Sequence, residues 1–160
     1  MVRGGLLALL VCFATPALAD ATAEARAHAE AFARAWTTGD VEDALALYAD
    51  DATVVWPGRG EEARGREQIA KLLERVFQET KDRRLVIRSL AATPLGTAHL
   101  ATVGRWESSF TAQDGRRVTS DVRTTEVLVK VGGRWRYLID HASVGMAPAK
   151  PPARRQRRER

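Results

Sequence analysis

REQIAKLLERVFQETKDRRLVIRSL, residues 66–90, holds the change of period that decides the fold. Through Phe77 the apolar positions Ile69, Leu72, Leu73, Val76 and Phe77 fall at i, i+3, i+4, i+7 and i+8, one face of an α-helix. Beyond Lys81 the period shortens to two, and Arg84 to Leu90, His99 to Phe110, Arg117 to Val131 and Arg134 to Val144 are strand-like. Pro94 with Gly96, Asp114 with Gly115, and Gly132 with Gly133 supply the turns between them. Connections this short permit only antiparallel neighbours, because a parallel crossover takes a dozen or more residues. Before the quoted stretch, Ala25, Ala29, Phe32, Ala33 and Trp36 recur at helical spacing between Asp20 and Thr37. Thr38, Gly39 and Asp40 stop that helix, and Asp40 caps a second in which Ala44, Leu45, Leu47 and Tyr48 form the buried face before Asp50 and Asp51 end it. Thr53 to Trp56, closed by Pro57 and Gly58, predicts a brief strand, followed by a polar, Gly-rich loop. The expected order is ααβαββββ: an α+β chain in which helices cover one face of a curved antiparallel sheet and leave a concavity between them.

The composition agrees with one folded domain. In 160 residues, 45% are hydrophobic and 28% charged, which argues against a disordered chain. Met1 to Ala19 has Arg3, an apolar run from Leu6 to Thr15 and a small-x-small exit at Ala17, Leu18 and Ala19, the pattern of a signal peptide cleaved after Ala19. A periplasmic or secreted location is therefore expected. Cys12 is the sole cysteine, so the processed chain would hold no disulfide, thiolate nucleophile or cysteine metal ligand. Residues 20–146 make the expected domain. Residues 147–160 form a Pro/Arg-rich tail, expected to be disordered, in which Lys150, Arg154, Arg155, Arg157, Arg158 and Arg160 face one Glu159. The basic isoelectric point belongs to that tail, which suits weak contact with an anionic surface; no specific nucleic-acid partner is expected.

Motifs of strong chemistry are missing. Gly58, Gly60 and Gly65 lack the spacing of a dinucleotide fingerprint, and His28, His99 and His141 lie in three elements without a paired ligand motif, so neither a cofactor nor a metal is expected. Thr38-Gly39-Asp40, Tyr48-Ala49-Asp50-Asp51-Ala52-Thr53-Val54, Pro57-Gly58 and Gly65-Arg66-Glu67-Gln68-Ile69 resemble the nuclear-transport-factor-2-like superfamily, which includes SnoaL-like cyclases and ketosteroid isomerases. The ending Gly133-Arg134-Trp135-Arg136, with His141 and Ser143, is similar to association domains of calmodulin-dependent kinases and to secreted members. The resemblance spans residues 22 to 145 and implies a cone-shaped, cystatin-like α+β fold, dimeric through the outer sheet face, with a pocket between helices and sheet.

Isomerase chemistry needs an Asp base and an oxyanion hole of Tyr plus a protonated Asp. The resemblance puts Phe32 at the Tyr position and Trp56 at the base position, and neither can do that work. Near the second Asp lies Glu126, or Thr125 in another alignment. The expected ligand-binding residues are Phe32, Trp36, Tyr48, Trp56, Leu72, Trp106, Glu126, Leu138 and Asp140, holding a small hydrophobic molecule. Glu126, Asp140 and Tyr48 are candidate catalytic groups of a cyclase, isomerase or hydratase. Asp140 and His141 point to opposite faces. A two-residue turn at Gly132 and Gly133 puts Glu126 with His141; a three-residue turn puts it with Leu138 and Asp140, the arrangement the resemblance favours. Alternatively either carboxylate pairs with Arg123, Arg105 or Arg136. A third expectation is an assembly module whose dimer interface is the sheet face bearing Trp135 and Tyr137.

Overall fold

The computed structural model describes residues 16–58 and 60–145; most of the expected leader and the tail from residue 147 lie outside the described residues. The elements are α1 (Pro16–Thr38), α2 (Val41–Leu45), β1 (Tyr48–Trp56), β2 (Glu61–Arg64), α3 (Gly65–Glu79), β3 (Thr80–Pro94), β4 (His99–Ala112), β5 (Arg117–Val131) and β6 (Arg134–Val144). One curved six-stranded sheet runs in the order β2-β1-β6-β5-β4-β3. The α+β class, the three helices and the four-strand meander are as expected, and three details differ.

The polar loop contains β2. Its four residues pair antiparallel with Thr53 to Trp56 and turn only Ala63 inward, a pattern too short to stand out from a charged loop. The second helix stops at Leu45, and Tyr48 opens β1 instead of closing that helix. Here pairing overrides helical spacing: Tyr137 donates its backbone N–H to the carbonyl of Leu47 at 2.8 Å and stands opposite Tyr48. Lastly, β1 and β6 are parallel, so the sheet is not wholly antiparallel. The rule on short connections still holds for each consecutive pair from β3 to β6; β1 and β6 are joined by most of the chain.

Local chemistry sets the helix ends. Asp40 accepts from the backbone N–H of Asp43 at 3.0 Å, the cap that the sequence predicts. Gly39 adopts a φ of +76°, and a Cβ there would lie 2.0 Å from Nη2 of Arg83. The space is occupied by a clamp. Arg83 donates from Nε to the carbonyl of Trp36 at 3.0 Å, and from Nη1 to the carbonyls of Phe77 at 3.0 Å and of Thr80. One guanidinium thus satisfies the exposed C-terminal carbonyls of both long helices and fixes their ends against β3.

Beneath α3, Ile69 and Leu73 are fully buried and Leu72 nearly so, each contributing about 1.5–3 kcal/mol. Alanines 21, 25, 29 and 35 let α1 lie close over the sheet, with its main contact on β3.

Replacing Arg83 by Ala should leave three carbonyls without this donor and lower unfolding free energy by about 2 kcal/mol in urea titration. A stability within 0.5 kcal/mol of the native chain, roughly the scatter of an ordinary surface substitution, would contradict the clamp.

Candidate functional site

The floor of the concavity is set by register. Gly132 and Gly133 form a two-residue turn, so Val131 faces Arg134. By strict alternation that turn would place Glu126 with His141. A β-bulge intervenes: Val127 pairs with Ile139 and Leu128 with Tyr137, so Leu138 is the extra residue, and Glu126 stands opposite Asp140. The observed turn is the first of the two alternatives, yet the facing pair is that of the second.

Both acids are buried, Glu126 at 3% and Asp140 at 4% exposure. Oδ2 of Asp140 accepts from the Tyr48 hydroxyl at 2.6 Å and from Nε1 of Trp56 at 3.0 Å. The hydroxyl of Thr102 donates to Glu126, and Thr124 adds a second hydrogen bond. Thr124 in turn accepts from Nε1 of Trp106 at 3.2 Å. This arrangement requires Gly104, where a Cβ would lie 2.6 Å from the Thr124 oxygen and 2.8 Å from Trp106 Nε1.

Burial first, and the Asp140 charge second, push the Glu126 carboxyl up to about 7. Burial also raises Asp140, against the opposing pull of the Tyr48 and Trp56 hydrogen bonds. Desolvation raises the phenols of Tyr48 and Tyr137, helped by the acids beside them. On α1, burial and then the charge of Arg136 lower His28 to about 4; it is neutral, edge-on to Tyr137 at 4.4 Å, and its Nε2 has no partner among the described residues.

Above this floor is a cavity of about 630 Å³. Phe32, Trp36 and Trp56 make one wall, with centroid separations of 5.5 to 6.3 Å; Trp106 and Phe110 stand on the sheet side. Of the predicted residues, Phe32, Trp36, Trp56, Trp106, Glu126 and Asp140 line it. Tyr48 does not: it is fully packed and supports Asp140 from outside the cavity wall. Leu72 packs into the core beneath α3, and Leu138 sits at the bulge, half-buried against the core.

Two expectations are corrected here, on the arginines and on the sheet face of Trp135 and Tyr137, and one on His141 holds. Neither acid bonds to an arginine among the described residues; Arg105 and Arg123 stand opposite each other, exposed, and Arg136 donates to the carbonyls of Ala46 and Tyr48. His141 is exposed, on the face opposite Asp140, as alternation requires. Tyr137 and Trp135 cannot form an outer interface, because the two-residue turn sets them opposite Leu128 and Lys130, on the face toward the helices: Tyr137 is 2% exposed and lines the cavity, while Trp135 donates to Glu24 of α1 at 2.7 Å. Tyr137, Thr124, Thr102 and Phe110 are site residues that sequence reasoning missed. Alternation from Glu126 would have found Thr124, and alternation through the two-residue turn Tyr137; nothing local in the sequence marks the bulge that adds Asp140 to their face.

A family model described as the SnoaL-like domain matches residues 25–147. The fold is similar to a candidate calcium/calmodulin-dependent protein kinase II association domain from Xanthomonas campestris, at 24% identity and a TM-score of 0.70, over 79% of this chain and 88% of that one. It is also similar to a ketosteroid isomerase-like protein from Erwinia carotovora atroseptica, at 22% identity and a TM-score of 0.68, over 79% and 97% of the two chains. A candidate dehydratase of the nuclear-transport-factor-2-like family from Streptomyces avermitilis shares 17% identity and a TM-score of 0.72, over 81% and 99%. Likeness at these identities is likeness of fold. No curated protein matches the chain.

An acid raised in the native state binds more protons folded than unfolded, so it costs stability as pH rises from its ordinary value, 4.5, to about 7. His28 contributes the opposite slope between about 4 and 6.5. The difference between the native chain and Glu126→Gln cancels His28. Over pH 4.5 to 7 that difference should move in favour of the variant by on the order of 3 kcal/mol in urea titrations. A pH-independent difference would contradict a buried, proton-holding Glu126.

Proposed function

The chain belongs to the SnoaL-like domain family, and from that premise we propose that it binds a small, largely apolar molecule in the cavity above Glu126 and Asp140. Fold alone does not carry this, because the architecture hosts unrelated activities. The observation that does is the hollow itself. About 630 Å³ is lined by aromatic and aliphatic side chains, with polar groups converging at the floor and others at the open rim, the make-up of a small-molecule site and not of a filled core.

A second reading is acid–base catalysis of the cyclase, isomerase or hydratase type. The observation favouring it is that one of the two facing acids titrates at about 7 while the other is held by two donors. Near neutrality Glu126 can give up or take a proton at a bound oxygen or carbon, and Asp140 sets its readiness to do so. Two structural neighbours, the ketosteroid isomerase-like protein and the candidate dehydratase, fit this reading. Trp56 excludes the usual steroid-isomerase base: its N–H is spent on Asp140 and its ring accepts no proton.

Secretion after cleavage at Ala19 and pairing of two copies through the outer sheet face belong to the same proposal. Support for pairing is a largely uncharged surface across adjacent strands: Val55, His141, Thr125 and Val103 in one row, Ile139, Val127 and Ala101 in the next, with Val55, Val103 and Ile139 exposed. Sedimentation should then give a dimer, and Val103→Lys with Ile139→Lys a monomer.

Nile red, an uncharged apolar dye, should bind saturably with enhanced emission. Val122→Trp, which fills the cavity from β5, should weaken it at least tenfold while leaving the far-ultraviolet circular dichroism unchanged. Absence of a saturable signal, or equal binding by the folded variant, would overturn the reading. Glu126→Gln should retain the dye, so that any turnover it loses is chemical.

A further inference from the structure

Among the described residues, every charged side chain lining the cavity is an acid: Glu61, Glu79 and Asp114 toward the rim, Glu126 and Asp140 at the floor. At the rim, Glu61 and Asp114 have their own partners, Arg75 and Arg116, each at 3.2 Å. The floor differs. No Lys, Arg or His among the described residues lines the cavity or bonds to Glu126 or Asp140. The groups facing the pair from the packed elements are Tyr48 of β1, Thr102 of β4, Thr124 of β5 and Tyr137 of β6, all uncharged, with neutral His28 of α1 behind Tyr137 and exposed His141 beside Asp140. Negative charge so buried ordinarily has a cation in contact.

The floor also has acceptors without donors. Tyr48 and Trp56 both donate to Oδ2 of Asp140, and no donor reaches its Oδ1 among the described residues. The hydroxyl of Tyr137, a residue 2% exposed that lines the cavity, makes no hydrogen bond among the described residues. An ammonium group presents three donors and no acceptor, and this floor offers it two carboxyl groups and a phenol oxygen. The rings of Phe32, Trp36 and Trp56, grouped within 6.3 Å of one another, add a surface that favours a desolvated cation.

We infer that the ligand of this cavity is an organic cation, an amine whose hydrocarbon part lies against the aromatic wall and whose ammonium seats between Glu126, Asp140 and Tyr137. This deepens the ligand-binding reading and rests on it. Anionic ligands are disfavoured by the same charges, and an uncharged one leaves the pair uncompensated.

Isothermal titration calorimetry with 3-phenylpropylamine, 3-phenylpropan-1-ol and 3-phenylpropanoate separates charge from shape. At pH 8 the amine should bind at least tenfold tighter than the alcohol, and the carboxylate weakest. A bound ammonium lowers the pKa of Glu126, so amine affinity should fall toward tenfold per pH unit as pH drops below about 7, while the alcohol's stays level. Glu126→Gln should abolish the amine's pH dependence and its preference over the alcohol. The native chain's pH series stands without that variant should it fail to fold. Alcohol binding as tight as the amine, or amine affinity that does not fall below pH 7, would overturn the inference while the ligand-binding reading survives. If none of the three binds and none displaces Nile red, the inference fails whatever the dye does; a dye that also fails to bind takes the ligand-binding reading with it.

Discussion

Two carboxyl groups held side by side in a space almost closed to water repel each other, and their burial disfavours both charges. The rest of the site is arranged around that tension. Tyr48 and Trp56 place both their donors on one oxygen of Asp140, which keeps this acid the readier of the two to ionise. At Glu126 burial and the charge of Asp140 outweigh the opposing pull of the threonine hydroxyls, so its proton is retained up to about 7. A chain that wished merely to stabilise its sheet would fill this place with apolar residues, since buried charge is a poor source of stability. The pair is therefore best understood by what it can hold, which is a proton or a ligand's charge.

That the pair faces a hollow depends on the helices as much as on the sheet. α1 crosses on small alanines near β3, but carries Phe32 and Trp36 farther along, where the rings prop the layers apart. Arg83 fixes the ends of α1 and α3 beside that gap, and Gly39 leaves it the room to do so. Trp56 serves both layers: its ring belongs to the aromatic wall and its N–H to the acid on the floor. Wall and floor are thus one hydrogen-bonded structure, and loss of the indole would disturb both.

Much of the architecture was legible in residue spacing. Ile69 to Phe77 announce α3, Asp40 announces the cap of α2, and the glycine turns at 115 and 132–133 announce the hairpins. Glu126, Asp140 and four cavity-lining aromatics were legible from the same patterns and from family likeness. What escaped was set by contacts distant in sequence. Tyr48 looked like the last turn of a helix because the strand that recruits it, β6, lies some ninety residues on. Leu72 and Leu138 have the composition of a pocket wall, yet one is consumed by the core and the other by a bulge. The bulge explains most: a single extra residue brings Asp140 and not His141 onto the face that the two-residue turn already gives to Trp135, Tyr137 and Glu126, and neither turn chemistry nor alternation announces it.

The central claim is that the floor carries two acids, at most one proton between them near neutrality, and no basic partner among the described residues. Neutron diffraction from deuterated crystals of the unliganded protein, grown near pD 6, reads those protons directly. The account predicts one deuteron on Glu126, none on either oxygen of Asp140, and deuterons on Tyr48 and Trp56 directed at Asp140. Deuterons on both carboxyl groups, or an arginine or lysine side chain in contact with either, would contradict it.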